Sequence, residues 1–384
     1  MKQFLIIALI MLLASLNACE SPDMPIQYAD NYDKIVFSVQ SQKRLTRTNP
    51  YEAYDPQRHP ETMGVFGYQD LAQCATLTPT SGLTVQTNPI FFNEIATYNA
   101  SKQSWETSVM KRWIDYPQAT SFDFFAYMPQ NASATLNRTD ADTYKLAFAY
   151  AHANNAENVP ILLNNKAAPI ICALPHNKTK LNVENGNRVI DFKFDQTLTC
   201  YRLLFMLDKK MNAIRYFRVK HVTLSGKMAT ACTISRSYIW NTTTQMWRAT
   251  DITWTDMVRH DFSETPYPIP YKGYGTNAYD ENSQTAIVTA ADYTQWGPDF
   301  YAIPDAQFQP LITVTYDVEL TAEDGKTVVT RKDVTSSITL NKNNFANLAT
   351  GKTAMINPIR ILIQPRYLYV LADQDAYTGH LLID

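Results

Sequence analysis

Leu311-Ile-Thr-Val-Thr-Tyr-Asp-Val-Glu-Leu320 is the clearest strand signal in the chain. Apolar or aromatic side chains fill every second position from Ile312 onward, and Thr, Asp and Glu fill the positions between them. This period of two is typical of a β-strand with one buried face. Glu323-Asp-Gly-Lys326 follows, with an Asp-Gly pair suited to a tight turn, and a second strand-like run covers 327–340. The sequence therefore predicts a β-hairpin over 311–340.

Further strand signals lie on both sides of this hairpin, without long helical repeats between them. They cover Lys34–Gln40, Met63–Tyr68, Phe122–Pro129, Tyr144–Ala151, Val159–Leu163, Arg188–Phe194, Tyr201–Leu207, Tyr216–Leu224, Met355–Ile363 and Tyr367–Leu371. Strands at irregular spacing favour an all-β fold made of β-sandwiches. The length of 384 residues favours two domains over one.

An Asn/Gly turn signal, Val183-Glu-Asn-Gly-Asn187, is the preferred place for a domain boundary. The expected domains are an N-terminal β-sandwich over 34–187 and a C-terminal β-sandwich over 188–384. Ile190, Phe192 and Phe194 alternate just after the boundary, and we expect them to point into the second core. Residues 241–310 are rich in Asn, Thr, Tyr and Pro, which predicts a loop-heavy stretch of the second domain.

The N-terminus has the layout of an export signal. Lys2 precedes a largely apolar run over 4–16, which is too short to span a bilayer comfortably and suits a signal peptide. Leu16-Asn-Ala-Cys19 ends the run and resembles a lipobox, the site where a signal peptidase cuts before a diacylated cysteine. We therefore expect a signal peptide over 1–18 and a lipidated tether over 19–33, with Cys19 carrying acyl chains such as palmitate. An ordinary secretory signal followed by a chance cysteine is the alternative.

Composition excludes several classes of protein. Charged residues are 18% of the chain and the formal net charge is −2, without a basic patch, so no nucleic-acid partner is expected. Aromatic residues are 12%, too many for a disordered chain. Besides Cys19, an exported chain could pair Cys74, Cys172, Cys200 and Cys232 in three ways, or keep them as buried thiols.

Patterns that carry catalysis or bind metals are missing from the sequence. GxSxG, HExxH, P-loop and GxGxxG motifs do not occur, and the six histidines are scattered without metal-ligand spacing. Two acidic clusters, Thr139–Asp142 and Asp373–Asp375, are typical of polar turns rather than of paired catalytic carboxylates. We predict no catalytic residue, no metal ligand and no cofactor.

Four tryptophans in or beside the loop-heavy stretch leave a second function open: Trp240, Trp247, Trp254 and Trp296. As an exposed coplanar platform they would stack on sugars, and the chain would be an outer-membrane-anchored glycan-binding lipoprotein. As buried side chains they would be packing aromatics, which is the commoner use of tryptophan. A hydrolase with convergent carboxylates in a cleft is a third alternative.

Several segments, taken in order, resemble the fimbrillin superfamily, the lipoprotein precursors of type V pili and their relatives in the Bacteroidetes. They are the lipoprotein signal followed by Lys34–Arg47, then Phe122–Pro129, Val189–Thr199, Val219–Gly226 and Leu348–Thr353. Each segment is a structural strand or turn, so the order carries more weight than any one of them. The chain departs from the pattern at Gln196-Thr-Leu-Thr-Cys-Tyr-Arg202, where these proteins usually carry His-Ala-Leu, and this leaves the subfamily open.

The resemblance implies transthyretin-like β-sandwich domains and a structural, adhesive function without enzymatic activity. In fimbrillins a trypsin-like protease removes the lipid and the first strand, and the gap accepts a strand of the next subunit. In this chain Ile35, Phe37 and Val39 would be the apolar side chains of the exchanged strand, and Arg44 and Arg47 the candidate cleavage sites. Without the resemblance, the two arginines would be taken for solvated loop charges.

The resemblance also implies where the chain acts. The donor strand would come from the C-terminal tail, either Tyr367–Leu371 or Gly379–Ile383, although either could equally be a fixed last strand. The implied partners are other fimbrial subunits, the outer membrane through the lipid, and receptors on host or bacterial surfaces. The expected location is the outer-membrane surface, or the fimbrium after processing. Shaft, tip and anchor roles stay open.

Overall fold

The computed structural model describes residues 33–39, 60–71, 89–152, 159–163, 168–207, 215–271, 279–280, 285–288, 294–307, 309–321, 327–340 and 356–363. Within these ranges the chain consists almost entirely of β-strands, with one short α-helix, α1 (Lys180–Glu184), and one 3-10 turn (Trp113–Asp115). The all-β fold class is therefore confirmed.

The first eleven strands precede residue 197. They are β1 (Phe37–Val39), β2 (Thr62–Gln69), β3 (Pro89–Asn99), β4 (Ser104–Thr107), β5 (Ser121–Met128), β6 (Thr135–Asp140), β7 (Thr143–Ala151), β8 (Ile170–Cys172), β9 (His176–Thr179), β10 (Ile190–Phe192) and β11 (Phe194–Gln196).

The later strands begin at Thr199. They are β12 (Thr199–Leu207), β13 (Arg215–Ser225), β14 (Lys227–Asn241), β15 (Met246–Ala249), β16 (Thr253–Asp261), β17 (Tyr267–Pro268), β18 (Tyr279–Asp280), β19 (Thr285–Val288), β20 (Thr294–Ala302), β21 (Leu311–Thr321), β22 (Thr327–Thr339) and β23 (Ile356–Ile363).

Two of the sheets enclose a first hydrophobic core. The larger sheet has the order β10-β1-β4-β3-β2-β5-β8-β11, with β9 paired to β5, and the smaller has the order β15-β14-β7-β6, with β16 paired to β14. Aromatic rings meet across the space between them: Tyr127 stacks on Phe148 at 4.6 Å, and Phe125 packs edge-on against Tyr238 at 5.3 Å. The arrangement is a β-sandwich with an aromatic interior.

A second hydrophobic core lies between the sheets β20-β12-β23 and β18-β19-β13-β21-β22, the latter with β17 paired to β13. The hairpin predicted over 311–340 belongs here and is confirmed as the antiparallel pair β21 and β22. Ile312, Val314, Tyr316 and Val318 are all buried, as their alternation predicts. The turn that joins the two strands lies outside the described residues.

The chain passes between the two cores more than once. β13 lies on the second core, and after Gly226 the next strand, β14, lies on the first. Gly226 has a φ of +100°, a backbone conformation that favours glycine, and it marks this change of sheet. β16 then leads back through Phe262, which is buried in the second core. Residues 227–261 are therefore a part of the second half of the chain that completes the first sandwich.

One expectation about the second half is wrong. Ile190, Phe192 and Phe194 are buried in the first core, because β10 pairs with β1 and β11 pairs with β8. The stretch 241–310, expected to be loop-heavy, holds six strands among its described residues, β15 to β20, with connections between them. The division into domains at residue 187 stays a prediction.

Candidate strand-exchange site

β1, the strand that the fimbrillin resemblance predicts to be exchanged, lies inside the larger sheet of the first sandwich. On one side it runs parallel to β10, with Phe37 opposite Ile190 and Val39 opposite Phe192. On the other side it runs antiparallel to β4, with Phe37 opposite Trp105. Both edges of this short strand are therefore paired.

Pairing continues upstream of β1. The N–H of Ile35 donates to the carbonyl of Lys111 at 2.9 Å, and the N–H of Trp113 donates to the carbonyl of Asp33 at 2.9 Å. On the opposite side, the N–H of Ile190 donates to the carbonyl of Val36 at 3.2 Å. The bound segment is thus longer than the three residues of β1 and covers 33–39.

Phe37 fills a pocket made of aromatic rings and has no exposed surface. Its ring is 5.5 Å from Phe91, 6.2 Å from Phe124 and 5.8 Å from Phe192, measured between centroids. Edge-on and stacked ring pairs at such distances add to the stabilisation from burial. The sequence identified Phe37 as an apolar side chain of the strand, but not the three rings that receive it, because they lie on β3, β5 and β10.

The other predicted side chains of the strand differ in their burial. Ile35 is buried in the first core, and Val39 is partly buried against it. Val36 is also buried, although strict alternation would place it on the opposite face. The alternation of Ile35, Phe37 and Val39 is therefore present, and the segment is buried on both faces at its centre.

β1 also lies next to a segment that reaches both ends of the larger sheet. β10 and β11 stand at opposite ends of the sheet order, yet only Lys193 separates them in the chain. One continuous segment, 190–196, therefore pairs with β1 at its beginning and with β8 at its end. Removal of β1 would break the link between β4 and β10 and leave both with unpaired main-chain groups.

Lys178 fixes the chain where it enters β10. Its buried ammonium donates to the main-chain carbonyl of Asn187 at 2.8 Å and to the side-chain Oδ1 of Asn187 at 2.6 Å. Burial lowers the pKa of Lys178 to about 8, although the charge of Asp191 acts to raise it. Sequence patterns do not identify this residue, because a single lysine in a polar segment normally lies at the surface.

The lipidation and cleavage sites lie outside the described residues. Cys19 precedes the segment that begins at Asp33, and Arg44 and Arg47 fall between β1 and β2. The tail segments Tyr367–Leu371 and Gly379–Ile383 follow β23 and are also outside it. Within the described part of the chain, no helix is both long and apolar enough to cross a lipid bilayer.

The exposed tryptophan platform that the alternative glycan-binding function requires does not form. Trp240, Trp247 and Trp296 are buried, and Trp254 is partly buried against the first core. Two of the buried indole N–H groups are used internally: Trp247 donates to Asp123 at 2.8 Å and Trp296 to the carbonyl of Ile269 at 3.0 Å. These tryptophans pack in the two cores, which is the commoner use, and the alternative of a sugar-stacking surface made of them is not supported.

The described cysteines are free thiols buried in the interior: Cys172, Cys200 and Cys232. Burial raises the pKa of the Cys172 thiol to about 11, which keeps it protonated and unreactive at neutral pH. Cys74 lies outside the described residues. No group of three or more His, Cys, Asp or Glu residues in the described ranges is arranged to hold a metal ion.

Comparison with known proteins shows what this fold resembles. No protein-family model and no curated protein sequence matches the chain. A solved fimbrial protein from Bacteroides vulgatus is similar in structure, with a TM-score of 0.51 and 16% sequence identity, over 86% of this chain and 95% of that protein.

Two further solved structures align less well. A Bacteroides uniformis protein with a provisional cell-adhesion name has a TM-score of 0.33 and 13% identity, over 80% of this chain and 98% of that one. A fimbrial protein from Bacteroides ovatus has a TM-score of 0.29 and 11% identity, over 86% of this chain and 48% of that one. The Bacteroides vulgatus likeness confirms the fold that the fimbrillin resemblance implies.

Proposed function

We propose that this chain is a cell-surface structural and adhesive protein, a fimbrial subunit or fimbrillin-like lipoprotein that assembles by exchange of its first strand. It would be exported by the signal peptide, anchored in the outer membrane through Cys19, and released for assembly by proteolysis. The observation that carries the proposal is the position of β1 between β4 and β10, with main-chain pairing on both sides. The role is structural and needs no catalytic residue or cofactor.

The physical basis is the slot that β1 occupies. Without residues 33–39, the rings of Phe91, Phe124 and Phe192 would lose the ring of Phe37 and meet water. An open apolar slot between two unpaired strand edges is a surface that proteins avoid leaving free. A strand from another subunit would restore the main-chain hydrogen bonds and fill the aromatic pocket, which is recognition by strand addition.

The sequence offers a place to cut that spares the rest of the fold. Arg44 and Arg47 follow β1 in a polar segment, and β2 begins only at Thr62. Cleavage at either arginine would separate β1 from the body without cutting another described strand. Arg47 is the preferred site, because it lies farther from β1 and close to Pro50 in a segment suited to protease access.

The partner strand would come from the tail of another subunit, Tyr367–Leu371 or Gly379–Ile383. These are strand-like apolar segments at the end of the chain. The fold that this chain shares with a solved fimbrial protein supports a role at the cell surface with other subunits as partners.

Limited proteolysis tests the proposal. The purified unlipidated precursor is treated with an arginine-specific protease, and its new N-terminus is read by mass spectrometry and its assembly by native gels. A new start at Leu45 or Thr48 together with a ladder of polymers supports strand exchange. Two variants serve as matched controls. The double variant Arg44→Gln and Arg47→Gln should give neither the new N-terminus nor the ladder. Arg58→Gln should give both. A chain that is cut there but stays monomeric, or is never cut there, contradicts a polymerising subunit.

A further inference from the structure

Three exposed apolar side chains lie close together in the connection between β4 and β5. Val109, Met110 and Ile114 are 52%, 56% and 65% exposed. They flank the buried ring of Trp113 within six residues of sequence, and together they form what we name the 109–114 patch. Large apolar side chains clustered on a soluble surface often mark a contact with another molecule.

The patch is held on a fixed frame. Trp113 is buried and packs edge-on against Phe122 at 5.0 Å and Phe124 at 6.0 Å. The N–H of Arg112 donates to the carboxylate of Asp115 at 3.1 Å, which caps the short 3-10 turn. Because this connection is anchored at its centre, its position is already fixed before a partner binds. Binding at Val109, Met110 and Ile114 therefore costs little conformational entropy.

The patch lies beside one end of the slot that β1 fills. The carbonyl of Lys111 accepts from the N–H of Ile35, and the N–H of Trp113 donates to the carbonyl of Asp33, both at 2.9 Å. Lys34 and Arg112 are bridged as antiparallel partners. A strand that enters the slot at its N-terminal end must therefore pass directly beside the patch.

The direction of a replacement strand determines which part of the donor subunit lies at the N-terminal end of the slot. A strand that runs like β1 keeps the parallel pairing with β10 and the antiparallel pairing with β4. If that strand is the C-terminal tail of a donor subunit, the body of the donor precedes it in the chain. The donor body is then held at the end of the slot where Asp33 and Lys34 now lie, next to the 109–114 patch.

We propose that the 109–114 patch is an interface that the body of the donor subunit, a second copy of this chain, covers when its tail strand fills the slot. This inference rests on the proposed strand exchange and adds a second contact to it. A lipid surface is the less favoured occupant. The charges around the patch are nearly balanced, with Lys34, Lys111 and Arg112 against Asp33 and Asp115, whereas membrane-binding surfaces are usually rich in basic residues.

The test separates the tail from the body of the donor. The triple variant Val109→Ser, Met110→Ser, Ile114→Ser is compared with the parent and with Leu174→Ser, a control side chain that is 47% exposed in a different connection. Each protein is nicked at Arg44 or Arg47. Its affinity for a synthetic peptide of residues 365–384 and its growth into polymers are then measured, and thermal melts confirm that each variant is folded.

The expected result is a difference between the two measurements. The peptide has no body attached, so the triple variant should bind it within about twofold of the parent, while the critical concentration for polymer growth should rise roughly 10- to 100-fold through the loss of buried apolar surface. Leu174→Ser should change neither. A single variant, Met110→Glu, should weaken growth in the same way.

Three outcomes would overturn the proposal, and they differ from one another. Equal polymer growth by parent and triple variant, with peptide binding intact, rejects the interface while strand exchange stands. Failure of the parent to bind the peptide or to polymerise removes strand exchange and the interface together. Loss of binding to vesicles of phosphatidylethanolamine and phosphatidylglycerol by the triple variant, with growth unchanged, assigns the patch to a lipid surface instead.

Discussion

The ring of Phe37 stacks on the ring of Phe192, with centroids 5.8 Å apart and an interplanar angle of 22°, although one residue lies on β1 and the other on β10. The main chains of the two strands pair beside this contact. A strand so short would leave the sheet easily without such a contact, because it has few main-chain hydrogen bonds. Phe37 is therefore the residue that most strongly retains β1 before any cleavage.

Replacing Phe37 by alanine tests this role. We expect the variant to lose about 3–5 kcal/mol of unfolding free energy, because the substitution leaves a cavity among Phe91, Phe124 and Phe192. Urea denaturation of the unlipidated protein measures the loss. The matched control is Phe92→Ala, on β3 beside Phe91, whose side chain is 47% exposed and should cost about 1 kcal/mol or less. Equal losses of unfolding free energy in the two variants would show that the ring pocket stabilises the fold no more than an exposed phenylalanine does.

The anchor proposed at Cys19 has a direct test. We expect Cys19→Ala to move the protein from the membrane pellet to the soluble fraction, since the acyl chains supply the binding energy, at about 0.8 kcal/mol per buried methylene. Fractionation after salt and carbonate washing measures the change, and Cys74→Ala serves as the control that should stay in the pellet. Retention of Cys19→Ala in the washed membranes would show that something other than the lipid holds the chain.

His152 predicts how the stability of the fold depends on pH. Its imidazole is buried, its Nδ1 lies 3.1 Å from the hydroxyl of Tyr150, and burial lowers its pKa from 6.5 to about 4. The unfolded chain takes up a proton near pH 6.5, whereas the folded protein does so only near pH 4. The unfolded state therefore binds more protons in this window, and acidification through it should cost up to about 3 kcal/mol of stability.

Unfolding free energies measured at pH 7, 5.5 and 4.5 check the effect of His152. His152→Gln removes the titrating group, so its stability should fall less on acidification than that of the parent. His221→Gln, at an exposed position on β13, should follow the parent curve. Parallel curves for the parent and for His152→Gln would mean that another group carries the acid sensitivity.

Arg259 and Asp305 form an ion pair between β16, on the first sandwich, and the segment after β20. The guanidinium donates twice to the carboxylate, at 2.6 and 2.9 Å, and the side chain of Asp305 is only 2% exposed. Burial acts to raise the pKa of Asp305, but hydrogen bonds from Arg259 and from the N–H of Gln307 hold it below its ordinary value. The carboxylate thus depends on Arg259 to stay charged in the interior.

Arg259→Ala should therefore cost about 2–4 kcal/mol, because it leaves a buried carboxylate without its charged partner. Lys102→Ala breaks a comparable pair with Glu106 at the surface, where the side chains are 40% and 27% exposed, and should cost about 0–1 kcal/mol. Chemical denaturation of both variants gives the comparison. If the two losses are equal, the Arg259 pair contributes no more than a surface pair.

The sequence predicts the individual strands well where one face is buried. The alternation in β21, the continuous apolar run of β5 and the burial of β1 follow from local patterns of apolar residues. The same patterns contain no information about which sheet a strand joins. β14 and β16 follow β13 in the chain, yet they pair with β7 of the first sandwich or with each other, because sheet pairing is a non-local property.

The tryptophans show the same limit, because the sequence left open whether they pack in a core or form an exposed platform. A stretch rich in Asn, Thr and Pro suggests exposed loops, but Trp247 packs against Phe125 at 5.7 Å and Trp240 at 5.2 Å inside the first core. Burial of each ring depends on strands far away in the sequence. The slot of β1 could be predicted as a strand position, whereas the ring pocket around it required the fold.

The crossings between the two cores predict that the first sandwich cannot fold from the N-terminal half alone. A fragment that ends at residue 187, the boundary expected from the sequence, lacks β10, which pairs with β1, and β11, which pairs with β8. It also lacks β14, which pairs with nine residues of β7. Phe192 and Tyr238, both buried in the first core, would be missing as well.

We therefore expect residues 20–187 to show no cooperative unfolding transition by circular dichroism. The matched control is the full mature chain with a protease site inserted after Gly186, in the exposed turn that follows α1, and then cut. Its two pieces should stay associated and unfold in one transition, because the strands of both pieces share sheets. A fragment 20–187 that unfolds cooperatively, or a nicked chain whose pieces separate without denaturant, would instead show that the boundary at residue 187 divides two independent domains.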